Sequence, residues 1–277
     1  MIQLAPLLHH HTPWVQGVCA GDPAGTITIQ RLVDGAGTAQ INAPSGVMWG
    51  ASGEQESAVA PESAFWIGYS VTPLTPSLHG TADVAAILNR RGRYTCSVVG
   101  HRAPVLDVYR RLTWGPPRGI RPHQPLLVAC ERPDIDEIPV RVAMPEDYEQ
   151  VYTASVAMFT EEVGFSPEHP NPSGYRSRVR SLLTSGHTLV LNDGNTLIFK
   201  ADLGIISSRA VQVQGVWVHP SYRGQGIASR AMVSVTRHAL AYAPTVSLYV
   251  NSFNTSALGA YARAGYRQIG EFATVMY

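Results

Sequence analysis

Apolar and polar positions alternate most clearly over residues 210–218, Ala-Val-Gln-Val-Gln-Gly-Val-Trp-Val, which predicts a long strand. Residues 187–191, 196–201, 246–250 and 272–277 carry similar strand character, and Asn192-Asp193-Gly194-Asn195 between the first two is a hairpin signal. Helical patterns cover residues 144 to about 160, where Pro145, Glu146 and Asp147 suit a first turn, and residues 175–184. A further helix begins just after Gly226, and another runs from Asn254 through Tyr261. In the first half, residues 25–32, 64–71 and 94–99 read as strands, and 83–91 and 105–112 as helices. Residues 114–122 hold too much Pro and Gly for an element and are expected to drape between halves.

This pattern divides the chain. Residues 131–139, Glu-Arg-Pro-Asp-Ile-Asp-Glu-Ile-Pro, are charged and twice interrupted by proline, so they read as a linker. Residues 1–130 then form an N-terminal α/β accessory domain. Residues 140–277 form a mixed α/β domain.

The most informative stretch lies where the 210–218 strand runs into a glycine loop and a helix start. First-turn N–H groups of a helix have no intrahelical partner, and the helix dipole adds partial positive charge there. Gly224 and Gly226 let backbone approach an anion without a Cβ in the way, and Arg223 offers a fork that matches phosphate oxygens. The triphosphate signature G-x-x-x-x-G-K-[ST] is absent, and no G-x-G-x-x-G follows a strand.

Arg223-Gly224-Gln225-Gly226-Ile227-Ala228 resembles the [QR]-x-x-G-x-[GA] loop of the GNAT (GCN5-related) acyltransferases, which holds the pyrophosphate of coenzyme A. Asn254, Ala257, Tyr261, Gly265 and Tyr266 stand in register with the family's N-x-x-A-x-x-x-Y-x-x-x-G-[FY] motif. Segments such as Tyr94–Gly100, Arg121–Leu127 and Met158–Gly164 are similar to a group of actinobacterial GNAT proteins with an extra N-terminal domain of unassigned function. The resemblance implies a GNAT fold over 140–277, with a mixed, mostly antiparallel sheet flanked by helices, and an acetyl-CoA or short acyl-CoA donor. It also implies direct transfer to an amine, on a small molecule or a protein. Coenzyme contacts would come from Trp217, Val218, Arg223–Ala228, Asn254 and Tyr261. The first half, whose Ser77–Ala82 lacks the arginine and paired glycines, is expected to be a degenerate GNAT-like copy, with an unrelated α/β domain as the alternative.

Composition narrows the partners. With 277 residues, net charge +1 and 15% charged residues, the chain has no electrostatic footprint for nucleic acid or membrane. No run is long and apolar enough to span a bilayer, and residues 1–6 do not resemble a signal peptide. Cys19, Cys96 and Cys130 are too few and scattered for a disulfide framework, which points to reduced thiols and a cytoplasmic protein. His9-His10-His11 has no acidic or cysteine neighbour, so no metal site is expected.

Acetyl transfer needs a polarised carbonyl, a deprotonated amine and a stabilised thiolate. By family analogy, backbone N–H groups near Trp217 and Val218 polarise the carbonyl and Tyr261 protonates the thiolate. Many members place a basic glutamate on the central strand, where this chain has Gln212 and Gln214. The substitutes are Glu161 and Glu162, with Glu271 behind them; a water chain or an already neutral amine would also serve. That departure leaves room for a rival reading, a non-catalytic acyl-CoA-binding regulator or scaffold. Arg176, Arg178 and Arg180 are solvated surface by default; lining the acceptor pocket, they would suit a carboxylate-bearing acceptor.

Overall fold

Strands from both halves hydrogen-bond into one sheet. The computed structural model describes residues 3–52, 60–131, 135–169 and 171–277. The first half runs β1 (Gln3–Pro6), a 3-10 turn at His9–His11, α1 (Thr12–Gly21), α2 (Ile27–Ala36), β2 (Asn42–Ala43), β3 (Gly46–Ser52) and β4 (Ser63–Gly68). It continues with β5 (Ser70–Pro73), α3 (Thr81–Arg91), β6 (Ser97–His101), α4 (Arg102–Arg111) and β7 (Gly119–Ala129). The second half runs β8 (Arg141–Val142), a 3-10 turn at Pro145–Asp147, α5 (Tyr148–Val163), α6 (Ser173–Thr184), β9 (Thr188–Asp193) and β10 (Thr196–Ile206). After these come β11 (Ala210–Val218), a 3-10 turn at Pro220–Tyr222, α7 (Ile227–Leu240), β12 (Thr245–Tyr249), α8 (Thr255–Arg263) and β13 (Arg267–Met276). Among the described residues the strand order is β1-β3-β4-β5-β6-β13-β7-β12-β11-β10-β9-β8, with β2 on β3.

The element order repeats. In each half an antiparallel run (β3-β4-β5, β9-β10-β11) leads through a helix (α3, α7) to a parallel strand (β6, β12). A second helix (α4, α8) then leads to a long strand (β7, β13). These long strands are exchanged. β13 pairs with β6 of the first half, β7 pairs with β12 of the second, and the two pair antiparallel with each other. The sheet therefore does not divide where the sequence suggests a linker. Residues 132–134 of that linker lie outside the described residues. Its later residues are tied to α7: Arg230 pairs with Asp136 at 2.8 Å, Arg237 with Glu137 at 3.1 Å, and the Ile138 N–H donates to the Arg230 carbonyl at 3.2 Å.

Helices cover both faces of the second-half sheet. Met232 and Val235 of α7 and Tyr261 of α8 pack on Val211, Val213 and Val246. On the other face Val151, Tyr152, Val179 and Leu183 of α5 and α6 pack on Val190 and Leu197. The first half has its own apolar clusters, one of which takes in Ala273 and Val275 of β13.

Several elements differ from the sequence reading. Residues 25–32, read as a strand from Ile27-Thr28-Ile29, lie largely in α2. The buried residues of α2 are Ile27, Ile29, Gln30 and Val33; Ile29 and Val33, one helical turn apart, pack with Val15 and Cys19, and that packing overrides β propensity. The stretch 114–122 is half strand, because β7 begins at Gly119. Pro122 falls where the β7–β13 register shifts, opposite residues 272–274, and such irregularities tolerate a residue without an N–H. The strand read at 64–71 is two, β4 and β5, broken at Tyr69. Cys19 is buried, whereas Cys130 is exposed.

Candidate active site

The site begins where two parallel strands part. β11 and β12 pair only through Gln212↔Ser247. Beyond that point β12 stays with β7, since the Val250 and Ser252 N–H groups donate to Pro125 and His123 carbonyls. β11 stays with β10, with a bulge: Lys200 faces Trp217 but Asp202 faces Gln214, so β11 carries an extra residue there. Gly215 lies in the bulge at φ 60°, and a Cβ on it would come within 2.6 Å of Asp202 Oδ2. Only glycine fits there.

Two cavities open on the splay. The first, about 440 Å³, is lined by Trp217, Val218 and the glycine loop on one side and by Asn254, Ala257 and Tyr261 on the other. Gly224 and Gly226 are left-handed at φ 76° and 74°, with nothing within 4 Å of an added Cβ at either. Gly226 is the N-cap of α7, and no side chain caps that helix. Its first-turn N–H groups therefore have no side-chain acceptor of the protein's own, which fits a phosphate. Asn254, by contrast, caps α8 by accepting from the Ala257 N–H at 3.1 Å, while its residue also lines the cavity. Gln225 turns away, donating to the Ser221 carbonyl at 3.3 Å. Arg223 donates through both terminal nitrogens to Glu161 at 2.8 Å each and through Nε to the Val218 carbonyl at 3.1 Å.

The second cavity, about 330 Å³, is bounded by α5, α6, β11, β12, Arg121 of β7, Asp202 of β10 and Tyr261 of α8. The two share Met158, Glu162, Val216 and Tyr261. Burial raises the Glu162 carboxyl above the usual carboxylate range, with Arg121 opposing and Glu161 adding to the rise. Burial also raises the Tyr261 phenol strongly, helped by Glu162 and then Tyr266, so the hydroxyl stays protonated. No side chain or backbone group among the described residues bonds that hydroxyl. Glu161 differs from its neighbour: it lines only the first cavity, and its bond to Arg223 holds its carboxyl low. Glu271 lies away from both cavities, 3.5 Å from Arg102 and 3.8 Å from His123. Gln212 is buried in the sheet, and Gln214 lines the second cavity, accepting from Arg178 at 3.2 Å. Of the three arginines on α6 only Arg178 lines the cavity; Arg176 and Arg180 stack over Tyr152 and Tyr148.

Residues 149–266 match the family model described as Acetyltransferase (GNAT) family. The chain carries a GNAT acetyltransferase domain. Residues 46–151 match a model described as a domain of unknown function, DUF4081. Among solved structures, a Drosophila protein is 13% identical, covers 99% of this chain and 98% of its own, and has a TM-score of 0.61. A GCN5-related N-acetyltransferase from Sphaerobacter thermophilus is 15% identical over 100% and 95% of the two chains, TM-score 0.57. One from Kribbella flavida is 16% identical over 91% and 95%, TM-score 0.55. At such identities these relatives speak to the fold. No curated protein matches the sequence. The GNAT domain makes the protein an N-acetyltransferase in the broad sense.

The first-half counterpart of the GNAT loop is closed. A Cβ on Gly80, the N-cap of α3, would sit 2.5 Å from Ala51 Cβ. The Asp107 carboxylate already stands at that helix start, accepting from Thr81 Oγ1 at 2.6 Å and from Arg111 Nε at 2.9 Å. A second anion would meet a like charge.

Sequence reasoning missed four participants in the GNAT site. Arg121 lay in a stretch read as irregular. Lys200 and Asp202 face the same side of β10 and form a buried pair, Nζ to Oδ2 2.7 Å, completed by Ser155 Oγ and Thr188 Oγ1. A lysine and an aspartate two apart in an otherwise apolar strand was the available signal. Phe253, exposed at the rim of the first cavity, carried none.

Proposed function

We propose that the protein transfers an acetyl or short acyl group from coenzyme A to an amine by direct attack where the two cavities meet. The observation that carries this reading is the shared wall of Met158, Glu162, Val216 and Tyr261 between a phosphate-suited cleft and a second, polar cavity. Bound acyl-CoA supplies an activated thioester carbonyl. The first-turn N–H groups of α7 and the backbone at Gly224–Gly226 hold its phosphates; Trp217 and Val218 wall the arm. Past Gln212 the edge of β11 has lost its β12 partner, leaving backbone N–H groups near Val216–Val218 to face a developing oxyanion. Glu162 takes the proton of the incoming ammonium. Its raised carboxyl is a better match to the proton it must accept than an ordinary surface glutamate. Tyr261, held neutral with a free hydroxyl, donates toward the departing sulfur. The first half gives no coenzyme site and contributes β7 with Arg121 to the acceptor cavity, which supports its reading as a degenerate GNAT-like copy.

A purely structural coenzyme-binding role drew its case from the glutamines on the central strand. Glu162 at the junction weakens that case.

Calorimetric titration of the full chain with acetyl-CoA tests the assignment. One site per chain is expected; two sites would mean the first half binds as well, and none would remove the donor.

A further inference from the structure

Resting on the second cavity being the acceptor side, we propose that the acceptor is a small amine that also bears a carboxylate, held by Arg121 and Arg178. The argument is a count of charge in the cavity wall. Four charged residues line it: Arg121, Arg178, Glu162 and Asp202. Asp202 is committed within the protein, to Lys200 at 2.7 Å and Thr188 at 2.9 Å. Glu162 stands at the junction with the donor cleft, on the side where an attacking amine must arrive.

Among the described residues neither guanidinium holds a carboxylate in direct contact, although Arg121 acts on Glu162 at longer range. Arg178, at the mouth, has only the neutral Gln214 Oε1 at 3.2 Å. Arg121 is half-buried; it donates to the thioether of Met276 at 3.6 Å, and its Nε is buried with no hydrogen-bond partner. Neither forms an ion pair within 4 Å of a carboxylate among the described residues. At the first cavity, by contrast, the Arg223 fork is satisfied by both oxygens of Glu161. A guanidinium withdrawn from water without an acceptor is costly, and its planar fork matches a carboxylate through two parallel N–H···O bonds.

Position and size narrow the class. The cations sit on β7 and α6 and line the same cavity as Glu162 and Tyr261, with Arg121 near enough to Glu162 to favour its charged form. One molecule bound here would present a carboxylate to the arginines and its amine to Glu162. The volume of about 330 Å³ is at the small end for ligand pockets, suiting a molecule of amino-acid size. β7 belongs to the first half, so acceptor choice depends on residues outside the GNAT domain proper.

Matched pairs test this. Free amino acids (glycine, β-alanine, alanine, glutamate, lysine) are compared with their carboxamides by thiol release from acetyl-CoA, and by calorimetry in the presence of coenzyme A. The carboxylate forms should be preferred about tenfold or more. R178Q and R121Q should each raise KM for the preferred acid by a similar factor and shrink the acid-to-amide ratio, with acetyl-CoA affinity unchanged. R178K should recover part of the loss. Equal use of acids and amides, or no carboxylate-dependent signal from any pair while acetyl-CoA still binds, overturns the proposal and leaves the acetyltransferase reading standing. Absence of acetyl-CoA binding would defeat that reading first. R121Q and R178Q are on different elements, so a folding defect in one leaves the other informative.

Discussion

Glu161 and Arg223 face each other across the rim of the donor cleft, joined by two hydrogen bonds of 2.8 Å. The carboxylate stands where a phosphate would compete for the same fork. Both partners are substantially exposed, so the pair itself contributes about 0–1 kcal/mol. E161Q should therefore tighten acetyl-CoA binding by roughly twofold to fivefold at low salt, with the gain fading as salt rises. Calorimetry at two ionic strengths checks it. Weaker binding would instead mean that Glu161 holds Arg223 ready for the phosphate.

Gly226 separates backbone strain from charge. Alanine at its left-handed φ should cost about 1 kcal/mol of stability, read by thermal melting. Aspartate there should also abolish measurable acetyl-CoA affinity, by placing a like charge against the phosphates. Retained affinity in G226D would refute the phosphate loop.

Glu162 has a testable pH signature. Its folded carboxyl lies above the ordinary value of 4.5, so its neutral form stabilises the fold. That contribution is complete below the ordinary value and is lost as pH rises through the raised one. E162Q should melt higher than the parent near neutral pH, with the difference closing toward pH 4. Its kcat should fall by about 10²-fold or more, and the acid limb of the pH profile should flatten. A parent-like pH profile would leave the base elsewhere.

Y261F should lower kcat at least about tenfold with acetyl-CoA affinity intact. Stopped-flow thiol release and equilibrium titration, taken together, distinguish this from loss of packing, which would weaken both.

Lys200 and Asp202 test the floor of the acceptor cavity. Lys200 is fully buried, and removing either partner strands a charge, so K200M or D202N alone should cost about 3–5 kcal/mol by chemical denaturation. The double variant should recover much of that loss. Additive losses would show that the two side chains act independently.

How far the sequence led can be argued residue by residue. The donor cleft was readable because its parts are local. Arg223 through Ala228 sit on one turn, and Asn254 and Tyr261 on one short helix, so spacing alone conveys geometry. The second cavity was not readable, because its walls come from seven elements brought together by the sheet. Arg121 reaches it only because β7 pairs with β12, and nothing near Arg121 in the chain announces that pairing. α2 was misread for a related reason. Ile27 and Ile29 carry strand propensity, and it is the packing of Ile29 and Val33 with Val15 and Cys19 that decides for a helix. Glu161 and Glu162 looked equivalent as neighbours on one helix. One turned to Arg223 and the other into the junction, a distinction set by helical rotation against a loop more than sixty residues away.

The exchange of β7 and β13 has a consequence for the nascent chain. β6 has β5 on one side but cannot acquire its other neighbour until β13 has been synthesised, so the first half emerges with an unpaired strand edge that must wait for the second. Such non-local pairing slows folding and exposes the chain to edge-to-edge association in the interval. Once both strands are in place, neither half can unravel without stripping a strand from the other, and the two should melt in a single cooperative transition.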